Sequence, residues 1–429
     1  MSPQDTIFAL ASGAGRAAIA VLRVSGPGAG AALRALAGTL PKPRHASLRR
    51  LRDATGETLD RALVLWLPGP ASFTGEDGAE LSLHASRAVI HAVADALVSL
   101  GARPAEPGEF SRRAFLNGKL DLLEAEAIGD LIDAETMTQA RQALRQMEGS
   151  LSALYQDWAD RLRRLLAHQE ALIDFPDEDL PEDVEAGVHA EMASLHGAIA
   201  VHLADNRRGE RLREGLVFAI TGAPNVGKSS LLNALAERDV AIVSDLPGTT
   251  RDALETRVIL GGVPVTLVDT AGLREAGDAI EAEGIRRALA RAAEADARIR
   301  VVVGQEIAAD TRPDDLLVAN KADLGLAVPA DALAISVRTG AGLDALRDRL
   351  AEIARALTQG QGPPPLTRAR HRAALLEALA RLDGARIAAW PELRAEDLRL
   401  AMRALGRITG AVGVEDILDA IFRQFCIGK

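Results

Sequence analysis

The chain has little of what would place it in several large protein classes. Its 429 residues contain one cysteine, Cys426. A single thiol excludes an internal disulfide framework and a cysteine-based zinc cluster, and it suits a reducing compartment. There are three tryptophans, Trp66, Trp158 and Trp390. They are expected in hydrophobic cores rather than as platforms for stacked bases. Positive charge is not in excess: 50 Lys and Arg face 60 Asp and Glu, for a formal net charge of −10. A protein that grips nucleic acid through its overall field is normally basic. Any RNA contact must therefore come from a local basic patch or from a partner. No uninterrupted apolar run is long enough to span a bilayer. Met1 to Leu10 lack the charged start and apolar centre of a signal peptide. The expectation is a soluble, cytoplasmic protein with no membrane span. No internal repeat is visible.

Hydrophobic residues make up 48% and charged residues 26% of the chain. That is enough apolar material for several cores and argues against wholesale disorder. Three textures follow one another. Residues 1–117 mix short apolar runs bounded by Gly and Pro, such as Ala18 to Val24 and Ala62 to Leu67, with helical patterns such as Ala88 to Leu100. This reads as an α+β domain. Residues 118–213 carry apolar positions at helical spacing: Leu122, Leu123, Ile128, Leu131 and Ile132, then Leu144, Met147, Leu151, Leu154, Trp158, Leu162 and Leu165. This reads as an all-α domain of long amphipathic helices, broken at the acidic stretch Asp174 to Asp183. Residues 214–362 alternate strand, loop and helix, with strands at Val217 to Thr221, Val263 to Val268, Leu316 to Ala319 and Ala334 to Ser336. This is the pattern of a parallel sheet covered on both faces. Helical texture returns over 363–429. The simplest topology is a helical domain interrupted by an α/β domain.

Gly222-Ala223-Pro224-Asn225-Val226-Gly227-Lys228-Ser229 matches the P-loop pattern, with Ser230 next in the helix it opens. Glycines let backbone N–H groups wrap phosphates, and the helix N-terminus adds positive potential. Lys228 is expected at the terminal phosphates and the Ser229 hydroxyl on Mg²⁺. Asp269-Thr270-Ala271-Gly272 follows a strand and suits the metal and the γ-phosphate. Asn320-Lys321-Ala322-Asp323 follows another; a carboxylate there selects guanine by accepting two hydrogen bonds that adenine cannot donate. Ser336-Val337-Arg338 falls where a last base-contacting loop belongs. Gly248-Thr249-Thr250-Arg251-Asp252 reads as a switch loop, with Thr250 able to reach Mg²⁺. The class is a Ras-like P-loop GTPase domain.

One absence bears on mechanism. Leu273 follows Gly272, where Ras-like enzymes place a water-orienting glutamine. Asn225 could instead help bind a monovalent cation doing the work of an arginine finger. Asp278, Glu281 and Glu283 could each position water, and spacing does not choose among them.

These residues resemble the MnmE/TrmE family of tRNA-uridine modification GTPases over nearly the whole chain. The resemblance rests on the P-loop octapeptide, Gly248 to Asp252 and Asp269-Thr270-Ala271-Gly272-Leu273-Arg274-Glu275. It rests also on Leu22-Arg23-Val24-Ser25-Gly26, Ser72-Phe73-Thr74-Gly75-Glu76-Asp77 and Asn117-Gly118-Lys119-Leu120-Asp121-Leu122. The final Phe425-Cys426-Ile427-Gly428-Lys429 is its most diagnostic feature. Three departures stand out: Ser82-Leu83-His84-Ala85-Ser86 replaces a Gly-His-Gly-Gly-like run, Arg298 to Val303 is unusually charged for a strand, and the chain is short between Gly304 and Pro365. A ribosome-assembly GTPase would share the G-domain pattern but add a basic RNA-binding module, where this chain is helical after Thr367.

The resemblance implies a folate-binding, dimerising N-terminal domain that takes a 5-formyl or methylene tetrahydrofolate derivative. Arg23, Glu80, Lys119 and Lys429 match its folate-contacting positions. It implies K⁺ held by Asn225, Ser244, Leu246 and Thr249, pairing of two G domains, water oriented by Glu281, and a modification role for Cys426. It implies a homodimer joined to the flavin-dependent partner MnmG (GidA) in a heterotetramer, with FAD and NADH on that partner. Together they would act on carbon 5 of the wobble uridine of certain tRNAs, adding an aminomethyl or carboxymethylaminomethyl group.

Overall fold

In the computed structural model, residues 5–13, 15–174, 182–238, 255–269, 292–305, 311–360, 362–412, 415–423, 425 and 428 are described. They fall into two compact units, Met1–Gly129 with Leu405–Lys429, and Asp130–Ala404.

The first unit is built on six strands: β1 (Ile7–Leu10), β2 (Ile19–Ser25), β3 (Ser47–Arg52), β4 (Thr58–Leu67), β5 (Gly78–His84) and β6 (Arg103–Pro104). Their order is β3-β4-β5-β2-β1-β6. All neighbours are antiparallel except β1 and β6, which run parallel. Strand alternation sends Leu22, Val24, Leu51, Val64, Trp66, Leu81 and Leu83 to one face. There they form one core with Leu33 and Leu36 of helix Ala29–Ala37 and Val93 and Leu97 of helix Arg87–Ser99. The other face carries Ile19, Arg23, Leu48, Leu63 and Glu80 by register. A second cluster joins Leu122 and Ala125 to Leu418 and Phe422, so the C-terminal helix Glu415–Phe422 packs beside helix Leu122–Asp133.

The second unit holds the other sheet: β7 (Leu216–Gly222), β8 (Glu255–Leu260), β9 (Val263–Asp269), β10 (Ala297–Val302), β11 (Leu316–Ala319) and β12 (Leu333–Ala334). The order is β12-β11-β10-β7-β9-β8. Five strands run parallel, while edge strand β8 is antiparallel to β9 and modifies the all-parallel expectation. A two-residue connection, Gly261-Gly262, allows only a hairpin there. Helices Lys228–Arg238 and Leu343–Thr358 share one core with the sheet through Leu231, Leu235, Leu346 and Leu350. Arg298 is tolerated in β10 because Asp315 pairs with it at 3.1 Å.

Helix Ser150–Asp174 buries Leu151, Tyr155, Trp158, Leu162, Leu165 and Gln169, an alternating four-three spacing that makes one seam. Tyr155, rather than the expected Leu154, completes it. Helices Glu182–Leu203, Ala369–Ile387 and Pro391–Thr409 complete the helical body. Trp66 and Trp158 are buried as expected. Trp390 is not: it is 67% exposed beside Ile387 and Leu393, because it lies in the turn before Pro391 rather than on a helix's inner stripe.

The segments that lead into and out of the second sheet are clamped together. Arg372 donates to Asp205 (2.6 Å), Glu210 (2.9 Å) and the Leu203 carbonyl (2.8 Å). Asp205 also accepts from the Leu366 amide at 3.2 Å. Gly209 sits so close to Leu366 that a Cβ there would lie 2.2 Å from its carbonyl oxygen. On the incoming side, Gln139 donates to the carbonyls of Leu212 and Arg213, both at 3.1 Å. It thereby satisfies two end carbonyls of helix Arg208–Glu214.

Candidate functional site

The phosphate loop is set by two glycines that no other residue could replace in place. Gly222 ends β7 at φ +149°, and a Cβ there would lie 2.3 Å from the Val301 carbonyl oxygen. Gly227 precedes helix Lys228–Arg238 at φ +99°, and a Cβ there would lie 2.4 Å from Asn320 Nδ2. Between them Asn225 takes the left-handed conformation, which Asn tolerates better than most residues.

Lys228 is buried, and its Nζ donates to the carbonyls of Gly222 (3.0 Å) and Ala223 (2.7 Å). The ammonium therefore lies inside the arch of the loop. The helix N-terminus adds positive potential at the same point. The Ser229 hydroxyl donates to Asp269 Oδ2 at 2.5 Å, joining the P-loop helix to the end of β9. Two hard oxygen donors at the phosphate end of the loop suit Mg²⁺, which prefers oxygen ligands and keeps several waters. Ser230, next along the helix, is exposed.

The Asn-Lys-x-Asp run divides its labour. Asn320 Nδ2 donates to the Val226 carbonyl at 2.8 Å, and its Oδ1 accepts from the Val337 amide at 3.2 Å. Asn320 thus ties the phosphate loop to the last loop. Lys321, in the left-handed conformation, donates to the Asn225 carbonyl at 2.9 Å. Asp323 accepts from the Ser336 hydroxyl at 2.6 Å and from Arg338 at 2.5 Å. The Ser336 hydrogen bond, with Arg338 nearby, holds the Asp323 carboxyl below its ordinary range. The group is an acceptor at neutral pH, as recognition of a guanine edge requires. Sequence pattern places Arg338 in this loop but does not pair it with Asp323.

Ser244, Leu246, Thr249, Thr250, Thr270, Ala271, Gly272 and Glu281 lie outside the described residues, as do Asp278 and Glu283. So do Cys426 and Lys429. Of the proposed K⁺ ligands, Asn225 alone is described.

The first unit brings Arg23 and Glu80 together. They face each other across β2 and β5, and Arg23 Nη2 donates to Glu80 Oε1 at 2.9 Å. The guanidinium also lies 5.4 Å from the Phe73 ring centroid and 5.8 Å from that of Phe110, within cation–π range. Lys119 packs its stem on Gly75, two residues from Phe73. Gly428 meets the Leu10 carbonyl and Ala11 beside Ala9, the cross-strand partner of Arg23. His84 is held locally by Asp60, at 2.8 Å from its Nδ1.

A charged network beneath this site escapes a sequence reading. Arg113 donates to Glu76 (3.1 Å) and Glu109 (3.4 Å), and Arg103 donates to Glu109 (2.6 Å). Ser25 donates to Glu76 at 2.8 Å. Arg103, Glu109 and Arg113 belong to no motif, and single charges in helix Glu109–Leu116 read as solvated. Glu76, inside the Ser72 to Asp77 run, is the signal that sequence offers.

Residues 6–119 match the family model for the GTP-binding protein TrmE N-terminus, and residues 122–426 that for the MnmE helical domain. The chain is 64% identical to the tRNA modification GTPase MnmE of Gluconacetobacter diazotrophicus, covering 99% of each chain. The chain belongs to the MnmE family. The corresponding protein of Granulibacter bethesdensis is 56% identical over 99% of this chain and all of its own. Among solved structures, the FeoB G-domain from Methanococcus jannaschii aligns over 33% of this chain and 98% of that one, at 22% identity and a TM-score of 0.23. Family membership accounts for the three parts read from sequence: a TrmE N-terminal domain, an MnmE helical domain and a P-loop G domain. Among the described residues no helix is long and apolar enough to cross a membrane.

Proposed function

We propose that this chain is a K⁺-assisted, Mg²⁺-dependent GTPase working in wobble-uridine modification of tRNA. The carrying observation is the meeting of Lys228, Ser229 and Asp269 at the phosphate loop, while Asn320 ties the loop's Val226 carbonyl to the Val337 amide, next to the Asp323–Ser336 pair. Ser229 and Asp269 would hold Mg²⁺, directly or through water, and the metal would supply charge stabilisation at the β- and γ-phosphates. Thr250 completes that set. Lys228 neutralises phosphate charge, and Asp323 reads guanine. Thr270, Ala271 and Gly272 approach the γ-phosphate. Asn225, Ser244, Leu246 and Thr249 would hold K⁺, which would supply the charge of an arginine finger, and Glu281 would orient the attacking water.

The first unit takes a tetrahydrofolate derivative. Arg23 over Phe73 and Phe110 offers a cation beside aromatic faces, and Glu80 offers acceptors to a pterin's N–H donors. Lys119 and Lys429 complete this pocket, and Gly428 against Leu10 supports the approach of the tail. Cys426 then acts in modification rather than in hydrolysis. The protein works in the cytoplasm as a homodimer with the flavin-dependent MnmG, which carries FAD and NADH. The domain reading is 1–117, 118–213 with 363–429, and 214–362.

Two experiments test this. Replacing K⁺ with Na⁺ is expected to lower GTP hydrolysis by at least about tenfold with nucleotide binding retained; equal turnover in both salts would remove K⁺ from the mechanism. Mass spectrometry of tRNA nucleosides from a deletion strain is expected to show loss of the uridine-5 modification. An intact nucleoside profile would sink the tRNA assignment.

A further inference from the structure

The acidic balance of the chain hides a segment of opposite character. Residues 6–52 contain eight Lys and Arg and no Asp or Glu. The structure gathers five of the eight at one sheet edge: Lys42, Arg44, Arg49, Arg50 and Arg52 lie on or just before edge strand β3. Strand β4 adds Arg61, which faces Arg50 directly across the pair, and both are exposed. Like charges opposite each other on neighbouring strands repel.

None of these six cations has a carboxylate partner among the described residues. Arg44, Arg49 and Arg52 donate only to the carbonyls of Ala71, Leu48 and Gly56. The nearby carboxylates are engaged elsewhere. Asp53 accepts from the Thr55 amide and hydroxyl and from the Glu57 amide, closing the β3–β4 turn. Asp60 holds His84. Glu57 stands exposed at the same turn. Elsewhere in this chain arginines are commonly ion-paired, as Arg103, Arg113, Arg211, Arg213 and Arg372 are.

Register places this cluster relative to the Arg23 site. Arg50 and Arg61 share the sheet face of Leu63, Glu80 and Arg23, opposite the face covered by helices Ala29–Ala37 and Arg87–Ser99. Strands β3 and β2 are three spacings apart, about 14 Å. Along β4, Arg61 lies four residues from Leu65, the partner of Glu80, so a polyanion held on Arg50 and Arg61 would lie on the same sheet face as the Arg23–Glu80 pair, toward the other end of the strands.

We propose that the β3–β4 edge of the N-terminal sheet is a docking surface for the phosphodiester backbone of tRNA. The inference rests on the reading that this protein acts on tRNA, and it supplies a local basic patch, one of the two routes to RNA contact that a net charge of −10 leaves open. Unpaired arginines attract phosphates and release their counterions, so the interaction is salt-dependent and indifferent to sequence.

The test is fluorescence anisotropy of a labelled, unmodified tRNA with the full-length protein over a range of KCl concentrations. The variants are Arg50→Gln/Arg61→Gln and Arg50→Lys/Arg61→Lys. The glutamine pair is expected to bind at least about tenfold more weakly, with a salt slope shallower by roughly 0.7–0.9 for each phosphate it no longer neutralises. The lysine pair is expected to keep most of the slope, and GTP hydrolysis is expected to stay unchanged in both. Unchanged affinity and slope in the glutamine pair would overturn the proposal and leave these arginines as guards of an exposed sheet edge. Conversion of the glutamine pair from dimer to monomer by sedimentation would assign the face to a second copy and overturn it as well. Wild-type protein that binds no tRNA at any salt would instead strike down the tRNA reading on which the proposal rests.

Discussion

The two six-stranded sheets of this chain meet the demands of burial differently, and their sites differ accordingly. In the second unit, five parallel strands point their ends at one loop system, so the phosphate loop, Asp269 and Asn320 converge by topology. In the first unit, a mainly antiparallel sheet packs one face on two helices and carries the Arg23–Glu80 pair on the other. There Arg23 and Glu80 meet because two strands are in register, not because a motif binds them. A parallel sheet therefore concentrates chemistry at strand ends, where short contiguous motifs are readable. An antiparallel sheet spreads it across a face, where partners are far apart in sequence.

Substitutions should separate the two sites. The largest effect is expected from Lys228→Ala, which removes the buried ammonium held on the Gly222 and Ala223 carbonyls. GTP hydrolysis should fall on the order of 10²–10³-fold by phosphate-release assay, with the melting of the first unit unmoved. Hydrolysis within about threefold of wild type would break the assignment of catalytic charge to this loop.

A second effect belongs to the helical body. His202 is buried against Tyr155, 3.0 Å from its hydroxyl, and against the Trp158 ring. Burial pushes its pKa down from 6.5 to about 4. Below pH 6.5 the unfolded chain takes up a proton that the folded bundle excludes. Stability is therefore fully present above that pH and is lost as pH falls toward 4. The loss is on the order of 3 kcal/mol. His202→Gln should flatten this part of the melting-temperature profile for the second unit. An unchanged acid slope would show that other groups carry it.

The smallest effect is expected at the other sheet. Arg23 and Glu80 are each about one-quarter exposed, so Glu80→Gln should cost no more than about 1 kcal/mol of stability. GTP turnover should stay the same. A large drop in turnover would mean that the two sites are energetically coupled, which would sharpen the comparison into a mechanism.

The amino-acid order alone determined the phosphate loop, the Asn320 to Asp323 run and the alternation of textures, because backbone conformation and local hydrogen bonding confine those signals to a few neighbours. It also carried the Arg23–Glu80 site, but only through resemblance, since either charge read singly is an ordinary surface residue. Tertiary structure decided the rest. It exposed Trp390, because position in a turn rather than apolarity set its burial. It revealed the Arg103–Glu109–Arg113–Glu76 network and the Arg50–Arg61 pair, whose partners lie on different elements. It also divided Asn320 from Asp323, tying the first to the Val226 carbonyl of the phosphate loop and the second to Ser336 and Arg338. Those outcomes depend on strand register and on which atoms are left near one another after packing, and a linear pattern does not specify either.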